Sequence, residues 1–435
     1  MGKNPGMKKI LIISPHFPPS NLVNVHRARL FATHLPAFGW EPIVLTVHEK
    51  YYEEKPDWNL VKLLPENLRV EKVKALPVKP VRLVGDIGIR GFIPLLIKAV
   101  QLIRKEHVDF LYIPVPSNYT ALIGRLAHMY TGIPYGIDYN DPWIYRPFHR
   151  LKPFSKEWCV LRLAYVLEPF SVKKAVLITA VAPGYYQGVY ARNPHLKNAC
   201  VWVAMPHGGE PEDHRRIKSL NLKPYLFKKN KHRFQFVYAG AMWPHAYKPL
   251  ESICSAIAHD EKLKTQIEIH FIGTGRHPND PEGFNIRPVA EKWELWQTCI
   301  YEYPARIPYL DVLVHLQAAD GIFILGSTEP HYTPSKVYQA VLSEKPILAV
   351  LHSQSTAVQI IRNTRAGIVL DFDGENGLTH IEQAFADNCN RFLCFAAQFH
   401  PGQIDRQAFA SYSAREVTRR LAEALDQALL RVRAG

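Results

Sequence analysis

The sequence predicts an α/β protein with two doubly wound, mostly parallel sheets, and three observations support that fold class. Strand and helix signals alternate in the first half of the chain and again in the second half. A polar, charged, glycine-containing stretch with little apolar periodicity separates the two halves. A length of 435 residues and a hydrophobic fraction of 47% suit two or three domains that bury sizeable cores.

In the first half, six apolar segments are predicted to be strands. They are, in order, KKILIIS, EPIVLTV, DFLYIPVP, IPYGIDY, VLITAV and CVWVAMP. The segments between them show helical spacing of apolar residues, and the first one, NVHRARLFATHLPAFGW, ends near Gly39. Further helices are predicted over IPLLIKAVQLIRKE, SNYTALIGRLAHMYTG, residues 155–175 and a segment that ends near Asn193. Residues 51–83 are rich in Lys, Pro and Glu and are predicted to be irregular.

The second half repeats the alternation. Its predicted strands are FQFVYAG, IEIHFIG, GIFILG and ILAVL, and its predicted helices are KPLESICSAIAHD, YLDVLVHLQAA, a short one after Thr333 and AREVTRRLAEALDQALLRVRA. We therefore expect a domain over residues 1–205, a linker over 206–232 and a domain over 233–435, with a last helix that can pack back on the first domain. Two such domains would face each other across a cleft, where ligands usually bind.

The segment from Gly326 to Leu351 is the most informative about function. Thr333 followed by Pro334 predicts a helix start, with the hydroxyl as the cap and proline at the first helical position. Free backbone amides, the Ser335 hydroxyl and the Lys336 ammonium would then form an anion site that suits a phosphate-bearing ligand. The alternative is an ordinary strand–helix–strand crossover with a lysine that faces solvent.

Composition argues against several other classes of protein. No apolar run approaches the roughly 20 residues of a membrane-spanning helix, and the N-terminus is interpreted as a first core strand rather than a signal peptide. The six cysteines are scattered, without CxxC pairs or zinc spacing, and the 20 histidines include no HExxH motif. We therefore expect a cytoplasmic protein with no metal site.

The positive charge of the chain is concentrated in its first half. Residues 1–200 contain 27 Lys and Arg against 14 Asp and Glu, whereas residues 201–435 contain 26 against 25. This asymmetry suggests that the first half faces an anionic partner. An anionic membrane surface is one candidate, with Arg90, Lys98, Arg104 and Lys105 as a basic helix flank. Nucleic acid is not expected, because the basic residues are dispersed and no recognisable module is present.

A series of motifs runs in order through nearly the whole chain. They are SPHFPPSN, RARLFATHLPAFGWEPIVLT, GIPYGIDYNDPW, MPHGG, FVYAGAMWPHAYKPLESICSAI, IHFIGTG, ARIPYLDVLVHLQAADGIFILG and TPSKVYQAVLSEKPILAV. In this order they resemble the motifs of GT-B-fold glycosyltransferases of the retaining, sugar-nucleotide-dependent kind, glycosyltransferase family four and its relatives. The resemblance implies two Rossmann-like domains, the first on the acceptor side and the second binding the nucleotide sugar.

The resemblance also implies a set of donor-binding residues in the second domain. Gly240 would let the backbone approach the donor diphosphate. Lys248 and Lys336, with the amides near Ser335, would balance the negative charge that grows as the glycosidic bond breaks. The other implied donor-side positions are Gly273 and Gly275 near the nucleotide, Arg306 toward the base, and Glu329, His331 and Gln339 in the C-terminal motif.

In the first domain the resemblance implies a catalytic loop after the fourth predicted strand. Asn140 occupies the place of a histidine often found there, with Asp141 beside it. Asp138, Asp141 and Trp143 become candidates for contacting the transferred sugar or the acceptor, and Asn21 lies on the implied acceptor side. Two of these residues have structural alternatives: Asp138 as the partner of a nearby arginine, and Asp141 as a helix N-cap.

The sequence departs from the family pattern at several positions. The family has two glutamates eight positions apart where this chain has His331 and Gln339. The usual arginine after the donor-domain glycine is replaced by Ala241 and Met242, and Asn140 does not titrate. These departures leave the identity of the donor open and favour an alternative in which the activity is altered or lost.

The expected function is a retaining transfer of a sugar from a nucleoside-diphosphate sugar to an acceptor hydroxyl, in cell-surface polysaccharide or glycolipid synthesis. No cofactor is required beyond the nucleotide sugar as co-substrate. The acceptor is expected to be a glycan or a lipid-linked molecule, and the protein cytoplasmic with peripheral contact to the inner face of a membrane. The alternatives are a non-catalytic GT-B protein that binds a nucleotide or glycan, and a sugar-nucleotide epimerase.

Overall fold

The computed structural model describes residues 6–78, 84–115, 117–277, 279–330 and 332–434. The chain divides into two compact units. The first unit contains the chain up to His207 together with the segment that starts at Ala414. The second unit extends from Gly208 to Ser413. Each unit is an α/β structure around one parallel sheet, as the alternation of strand and helix signals predicts.

The described residues of the first unit form a seven-stranded sheet. Its strands are β1 (Lys8–Ile13), β2 (Trp40–Val47), β3 (Arg69–Val73), β4 (Phe110–Val115), β5 (Tyr135–Tyr139), β6 (Leu177–Ala180) and β7 (Val201–Ala204). The strand order is β3-β2-β1-β4-β5-β6-β7, and every pair of neighbours is parallel. The order reverses between β1 and β4, so the carboxyl ends of these two strands border the switch point of the sheet.

The described residues of the second unit form a six-stranded sheet. Its strands are β8 (Phe234–Ala239), β9 (Ile267–Ile272), β10 (Ile300–Tyr303), β11 (Gly321–Leu325), β12 (Ile347–His352) and β13 (Gly367–Phe372). The order is β10-β9-β8-β11-β12-β13, again with parallel neighbours throughout. Here the order reverses between β8 and β11.

Helices connect the strands in both units. In the first unit they are α1 (Val23–His34), α2 (Trp58–Val61), α3 (Ile87–Arg90), α4 (Phe92–Glu106), α5 (Ala121–Thr131), α6 (Lys156–Val172), α7 (Pro183–Arg192) and α8 (Leu196–Ala199). In the second unit they are α9 (Pro211–Ser219), α10 (Tyr247–Ala258), α11 (Glu261–Gln266), α12 (Arg287–Lys292), α13 (Tyr309–Ala318), α14 (Lys336–Leu342), α15 (Thr356–Thr364), α16 (Leu378–Gln398) and α17 (Arg406–Ala410). None of the helices in the described part of the chain combines the length and apolar character that crossing a bilayer requires.

The last helix, α18 (Ala414–Ala434), belongs to the first unit. Its apolar face is buried against α1 and the sheet, with Leu421 and Leu425 fully enclosed. The Trp40 indole N–H donates to Asp426 Oδ1 at 3.1 Å, and the Lys8 ammonium pairs with the same carboxylate. This helix therefore covers one face of the sheet, while α4, α5 and α6 cover the other.

Three strands were not predicted from the sequence, and all three lie at the edges of their sheets. They are β3, β10 and β13. An edge strand needs fewer buried side chains than a central one, so its sequence carries a weaker apolar pattern. In β3, for example, none of the five residues is fully buried. The helices α15 and α16 were also not predicted.

The stretch over 206–232 that we expected to be a linker contains helix α9, which lies in the second unit. Glu210 caps this helix by accepting a hydrogen bond from the Glu212 amide, and Pro211 takes the first helical position. Only three of its nine residues are buried, two of them polar, so apolar periodicity gives no signal for it.

Candidate functional site

The switch point of the second sheet places three loops side by side at the carboxyl ends of β8, β9 and β11. These loops begin at Gly240, Gly273 and Gly326. In parallel α/β sheets this edge is where ligands bind, because the connections diverge there and leave a crevice. Five of the predicted donor-binding residues, Gly240, Gly273, Arg306, Ser335 and Lys336, lie on or next to these loops, and β11 leads into the loop with Glu329.

Gly240 and Gly273 meet directly at this edge. Both have positive φ angles, +100° and +71°, which side-chain-bearing residues rarely adopt. A Cβ atom on Gly240 would lie 3.0 Å from Lys336 Cε, and one on Gly273 would lie 3.9 Å from Gly240 Cα. The Gly273 position also approaches the Arg306 backbone, at 3.8 Å from its Cα. The absence of these side chains leaves the backbone open beside the Lys336 side chain.

Gly275 has a different reason to be glycine. A Cβ atom there would come within 2.6 Å of the Pro304 carbonyl oxygen, and the Gly275 amide donates to that oxygen at 2.9 Å. Its small size therefore serves the packing of two loops in the second unit.

Lys336 is half-buried at the start of α14. Its ammonium donates to the Tyr238 hydroxyl and, at 3.0 Å, to the Ala241 carbonyl oxygen, and it lies 3.9 Å from the centroid of the Tyr238 ring. In the described part of the chain no carboxylate pairs with it and its third N–H has no acceptor. Burial lowers the pKa of Lys336 to about 7. A cation held by neutral groups at a sheet edge is well placed to bind an anion.

The helix start differs in detail from the sequence prediction. Helix α14 begins at Lys336 with Ser335 as its N-cap residue, and no side chain caps it. The Thr333 hydroxyl, predicted to be the cap, instead bonds the Thr356 hydroxyl at 2.8 Å. The Thr333 hydroxyl is therefore used in a contact with α15 and does not cap α14, contrary to the prediction from the local sequence.

Lys248 is placed differently from Lys336. Its ammonium pairs with Glu375 at 2.6 Å, and both side chains are exposed. Exposed pairs of this kind are weak and exchange readily, so the geometry does not mark Lys248 as part of a preformed anion site.

Glu329 lies in the loop after β11 and orients an aromatic side chain. The Trp243 indole N–H donates to Glu329 Oε2 at 2.7 Å, and the Trp243 ring stacks on Tyr332 with 6.0 Å between centroids. Trp243 is 44% exposed although its edge and one face are held. A fixed, accessible indole beside the loop of Gly240 offers a stacking surface for a planar or sugar ring. Sequence reasoning missed Trp243. His331 lies outside the described residues.

Gln339 is engaged by a residue that sequence reasoning also missed. Its Oε1 atom lies 2.8 Å from His214 Nε2, and the Nδ1 atom of the same ring lies 3.2 Å from Gln317 Nε2. His214 is buried on α9, and burial lowers its pKa. The position that carries a glutamate in the resembled family is thus part of a buried polar network in the second unit.

In the first unit, Asp138 forms a buried ion pair. The Arg27 guanidinium donates to both carboxylate oxygens, at 2.6 and 2.9 Å, and the Thr179 hydroxyl donates at 2.7 Å. Asp138 has no accessible surface. The same arginine also donates to the carbonyl oxygens of Met205 and Pro206. This geometry corresponds to the structural alternative for Asp138 rather than to contact with a substrate.

The loop after β5 holds Asn140, Asp141 and Trp143. Asn140 is buried and donates to the Val115 carbonyl at 2.9 Å, whereas its Oδ1 has no partner in the described part of the chain. Asp141 keeps accessible surface and starts no described helix, yet the protein around its carboxyl desolvates it and raises its pKa to about 6. Trp143 is a core residue, 5% exposed and packed edge-on against Tyr119. Of the three, Asp141 is therefore the most accessible to a ligand.

The loop after β1 contains a second charged arrangement that the sequence did not predict. His16 Nδ1 lies 3.0 Å from Glu54 Oε1, and the Ser20 hydroxyl donates to the same oxygen. Burial alone would raise the pKa of Glu54. The hydrogen bonds with His16 and Ser20, together with the charge of His16, outweigh this effect and lower the pKa to about 2. This geometry leaves His16 Nε2 without a hydrogen-bond partner among the described residues. Asn21 follows this loop and is half-buried.

No protein-family model matches the sequence, and no curated protein matches it. Several solved structures resemble the whole chain. HepE of Anabaena in complex with UDP is 16% identical, with a TM-score of 0.59 over 97% of this chain and 100% of that one. Sucrose-phosphate synthase of Thermosynechococcus elongatus is 14% identical, with a TM-score of 0.61 over 97% and 98%. A glycosyltransferase of Rickettsia africae is 14% identical, with a TM-score of 0.59 over 97% and 99%. At these identities the likeness shows the fold alone, and it confirms the GT-B fold class.

Proposed function

We propose that this protein is a glycosyltransferase that takes its sugar from a nucleoside-diphosphate sugar bound in the second unit. The observation that carries the proposal is the Lys336 ammonium, which Tyr238 and Ala241 hold beside the open backbone of Gly240. HepE, which shares the fold, has been crystallised with UDP and with UDP-glucose. A diphosphate at this edge would accept hydrogen bonds from the third Lys336 N–H and from backbone amides near Ser335 at the helix start.

The chemistry of such a site follows from where charge appears. As the bond between the anomeric carbon and the diphosphate breaks, the electron pair goes to the diphosphate oxygen and its negative charge grows. A lysine already held in place stabilises that charge more than it stabilises the intact donor, which lowers the barrier. Gly240 permits the close approach, and the Trp243 ring offers a surface for the donor. The ribose and the base would lie toward Gly273 and Arg306.

The finer features of the function rest on the resemblance of the sequence motifs. We propose retention of anomeric configuration, a glycan or lipid-linked acceptor on the first unit, and a role in cell-surface polysaccharide or glycolipid synthesis. Asp141, with its raised pKa, is the first-unit group that could exchange a proton with an acceptor hydroxyl. His16, whose Nε2 has no hydrogen-bond partner among the described residues, could position that hydroxyl through a hydrogen bond. The basic first unit supports action at the cytoplasmic face of an anionic membrane.

The test is a titration of the purified protein with a panel of nucleoside-diphosphate sugars, beginning with UDP-glucose, in which both binding and hydrolysis are measured. Lys336→Met keeps the length of the side chain and removes its charge. We expect the affinity for the donor to fall roughly 10- to 100-fold, the range for a hydrogen bond to a charged group. Lys292→Met, at an exposed lysine paired with Glu251, is the matched control and should bind as the wild type does. Equal affinity of the Lys336 variant and the wild type would refute the diphosphate site.

A second candidate is a GT-B protein that binds a nucleotide sugar without turning it over. It is favoured by Gln339, whose amide is engaged by His214 where the resembled family has a glutamate that contacts the donor. The same titration separates the two candidates. Binding that is lost in Lys336→Met, without hydrolysis or transfer in the presence of acceptor extracts, would support the non-catalytic protein.

A further inference from the structure

Helix α6 of the first unit exposes a row of large apolar side chains. Val160, Leu163, Val166 and Phe170 are 44%, 45%, 66% and 39% exposed. Their spacing places them within a sector of roughly 120° on the helix surface. The opposite side of the helix, at Leu161 and Ala164 among others, is packed into the core. An apolar face this continuous on the outside of the chain points to a partner.

The loop before α6 adds an exposed aromatic residue in a strained conformation. Phe154 is 83% exposed and has a φ angle of +60°, which is an outlier for a bulky residue. Its ring touches only the edge of an aromatic cluster, 5.2 Å from Trp158, while Phe148 packs on Trp158 and Tyr165. Phe154 thus combines a backbone conformation that is unfavourable for a bulky residue with a largely exposed ring.

Basic residues are frequent in the same part of the chain. Residues 142–174 contain seven Lys and Arg and two Asp and Glu. Both acidic residues are already paired, Glu157 with Arg146 and Glu168 with Arg192. Six exposed basic residues form no ion pair with an acid in the part of the chain that the structure describes: Arg150, Lys152, Lys156, Arg162, Lys173 and Lys174.

The basic flank predicted on α4 is less suitable. Arg90 is buried and donates to the carbonyl oxygens of Tyr51 and Leu76. Lys98 pairs with Glu71, and Arg104 donates to the Tyr130 carbonyl oxygen. Most of the basic residues that were predicted to face a membrane thus already bind carbonyl oxygens or a carboxylate within the first unit.

We infer that residues 145–154 and the outward side of α6, together called the α6 face, form the surface by which this protein lies on an anionic bilayer. The inference rests on the membrane contact proposed above and names the part of the molecule that makes it. The apolar row and Phe154 would enter the boundary between headgroups and acyl chains, and the six basic residues would contact anionic headgroups. A bilayer suits this combination better than a protein partner, because the exposed basic residues along this segment are of one sign and form no ion pair within the described part of the chain.

The experiment is flotation of the full-length protein with vesicles of phosphatidylcholine alone and of phosphatidylcholine mixed equally with phosphatidylglycerol. We expect binding to the mixed vesicles only, weakened by salt. The double variant Phe154→Ser/Val166→Ser should bind at least about tenfold more weakly, because two apolar side chains no longer enter the bilayer. The double variant Lys152→Glu/Lys156→Glu should lose binding to a similar extent and become less sensitive to salt.

The matched control is Leu430→Ser on α18, a residue of the first unit that is as exposed as Val166, at 66%. It should bind vesicles as the wild type does. If the wild type binds vesicles and the α6-face variants bind them equally well, the α6 face is not the membrane-contacting surface, although the membrane contact itself is supported. If the wild type bound neither kind of vesicle, the proposal that the α6 face contacts a bilayer would be wrong. It would also be wrong if the α6-face variants still bound vesicles and lost only the binding of a protein partner.

Donor binding in solution is measured on the same variants, so that the two proposals fail separately. We expect each α6-face variant to bind the nucleoside-diphosphate sugar with wild-type affinity, because the donor residues lie in the second unit. If the wild type binds vesicles but no donor, the proposed glycosyltransferase function is refuted, whereas the proposal for the α6 face is unaffected.

Discussion

Lys336 is a half-buried charged residue and Asp138 a fully buried one, and their partners indicate different roles. Asp138 receives a two-pronged ion pair from Arg27 and a third hydrogen bond from Thr179, so its charge is compensated within the first unit. Lys336 has only a neutral hydroxyl and a carbonyl oxygen as acceptors among the described residues. A buried charge that is fully paired by neighbouring groups has a structural role, whereas a charge with only neutral partners is a candidate for binding a charged ligand.

The pKa of Lys336 predicts how donor affinity depends on pH. Burial lowers it to about 7, so below pH 7 the ligand-free protein already carries the ammonium that a diphosphate needs. Above pH 7 the site must first take up a proton, and we expect the affinity to fall by up to about tenfold per pH unit. Titration calorimetry with UDP-glucose from pH 6 to about pH 9 measures this, since its diphosphate does not titrate in that range.

Lys336→Met provides the control for this pH dependence. The variant should bind the donor weakly, with an affinity that no longer changes between neutral and alkaline pH. A slope that persists in the variant would assign the pH dependence to another group and contradict the role of Lys336.

At the scale of single elements, the loop after β8 depends on a backbone conformation that only glycine adopts easily. Gly240 follows the strand with a φ of +100°, and its missing Cβ leaves room for the Lys336 side chain. The loop after β9 repeats the arrangement at Gly273. Both glycines directly follow apolar strand segments, and their donor-side roles were implied by the resemblance of the motifs that contain them.

Gly240→Ala tests this loop. The new Cβ would both strain the backbone, at a cost of about 1–2 kcal/mol, and press on Lys336 Cε. We expect a similar loss in the free energy of unfolding for Gly132→Ala, whose φ is +75° and whose Cβ would meet no atom within 4 Å. Donor affinity, measured by the same titration, should fall only for Gly240→Ala. Equal donor affinity in the two variants would mean that the backbone at Gly240 does not approach the ligand.

At the scale of the whole molecule, the first unit is assembled from both ends of the chain. Helix α18 packs on α1 and the sheet with Leu421 and Leu425 fully buried, more than 200 residues after the rest of the unit ends at His207. The second unit is a continuous insertion between them. The stability of the first sheet therefore depends on the last residues of the chain.

Leu425→Ala should destabilise the first unit by about 2–5 kcal/mol, the usual cost of a cavity at a fully buried leucine. Donor affinity at temperatures where the variant stays folded should be unchanged, because the donor residues belong to the second unit. Urea denaturation and the donor titration measure the two effects, and the exposed Leu430→Ala on the same helix is the control. A loss of donor affinity in the Leu425 variant would contradict this division of roles.

The sequence by itself determined the fold class, and it supplied the prediction of a donor site at Gly240, Gly273 and Lys336 that the donor titration tests. Alternating strand and helix signals predict two parallel sheets, because burial on both faces of a central strand leaves a readable apolar run. The anion site at Lys336 was predicted from the local signals of a helix start, whereas the donor-binding roles of Gly240 and Gly273 were implied by the resemblance of the motifs that contain them. These signals are local, so they need no knowledge of which segments meet.

Only the tertiary structure decided the roles that depend on distant partners. Asp138 pairs with Arg27, which lies 111 positions earlier, and Gln339 binds His214, which lies 125 positions earlier. Glu54 orients His16, and Thr333 bonds Thr356 instead of capping its helix. The edge strands β3, β10 and β13 and the exposed side of α6 also emerge only in the folded chain. The sequence specifies the chemical group of each side chain. The partner of that group, its burial and therefore its pKa depend on which strands lie next to each other in the folded chain.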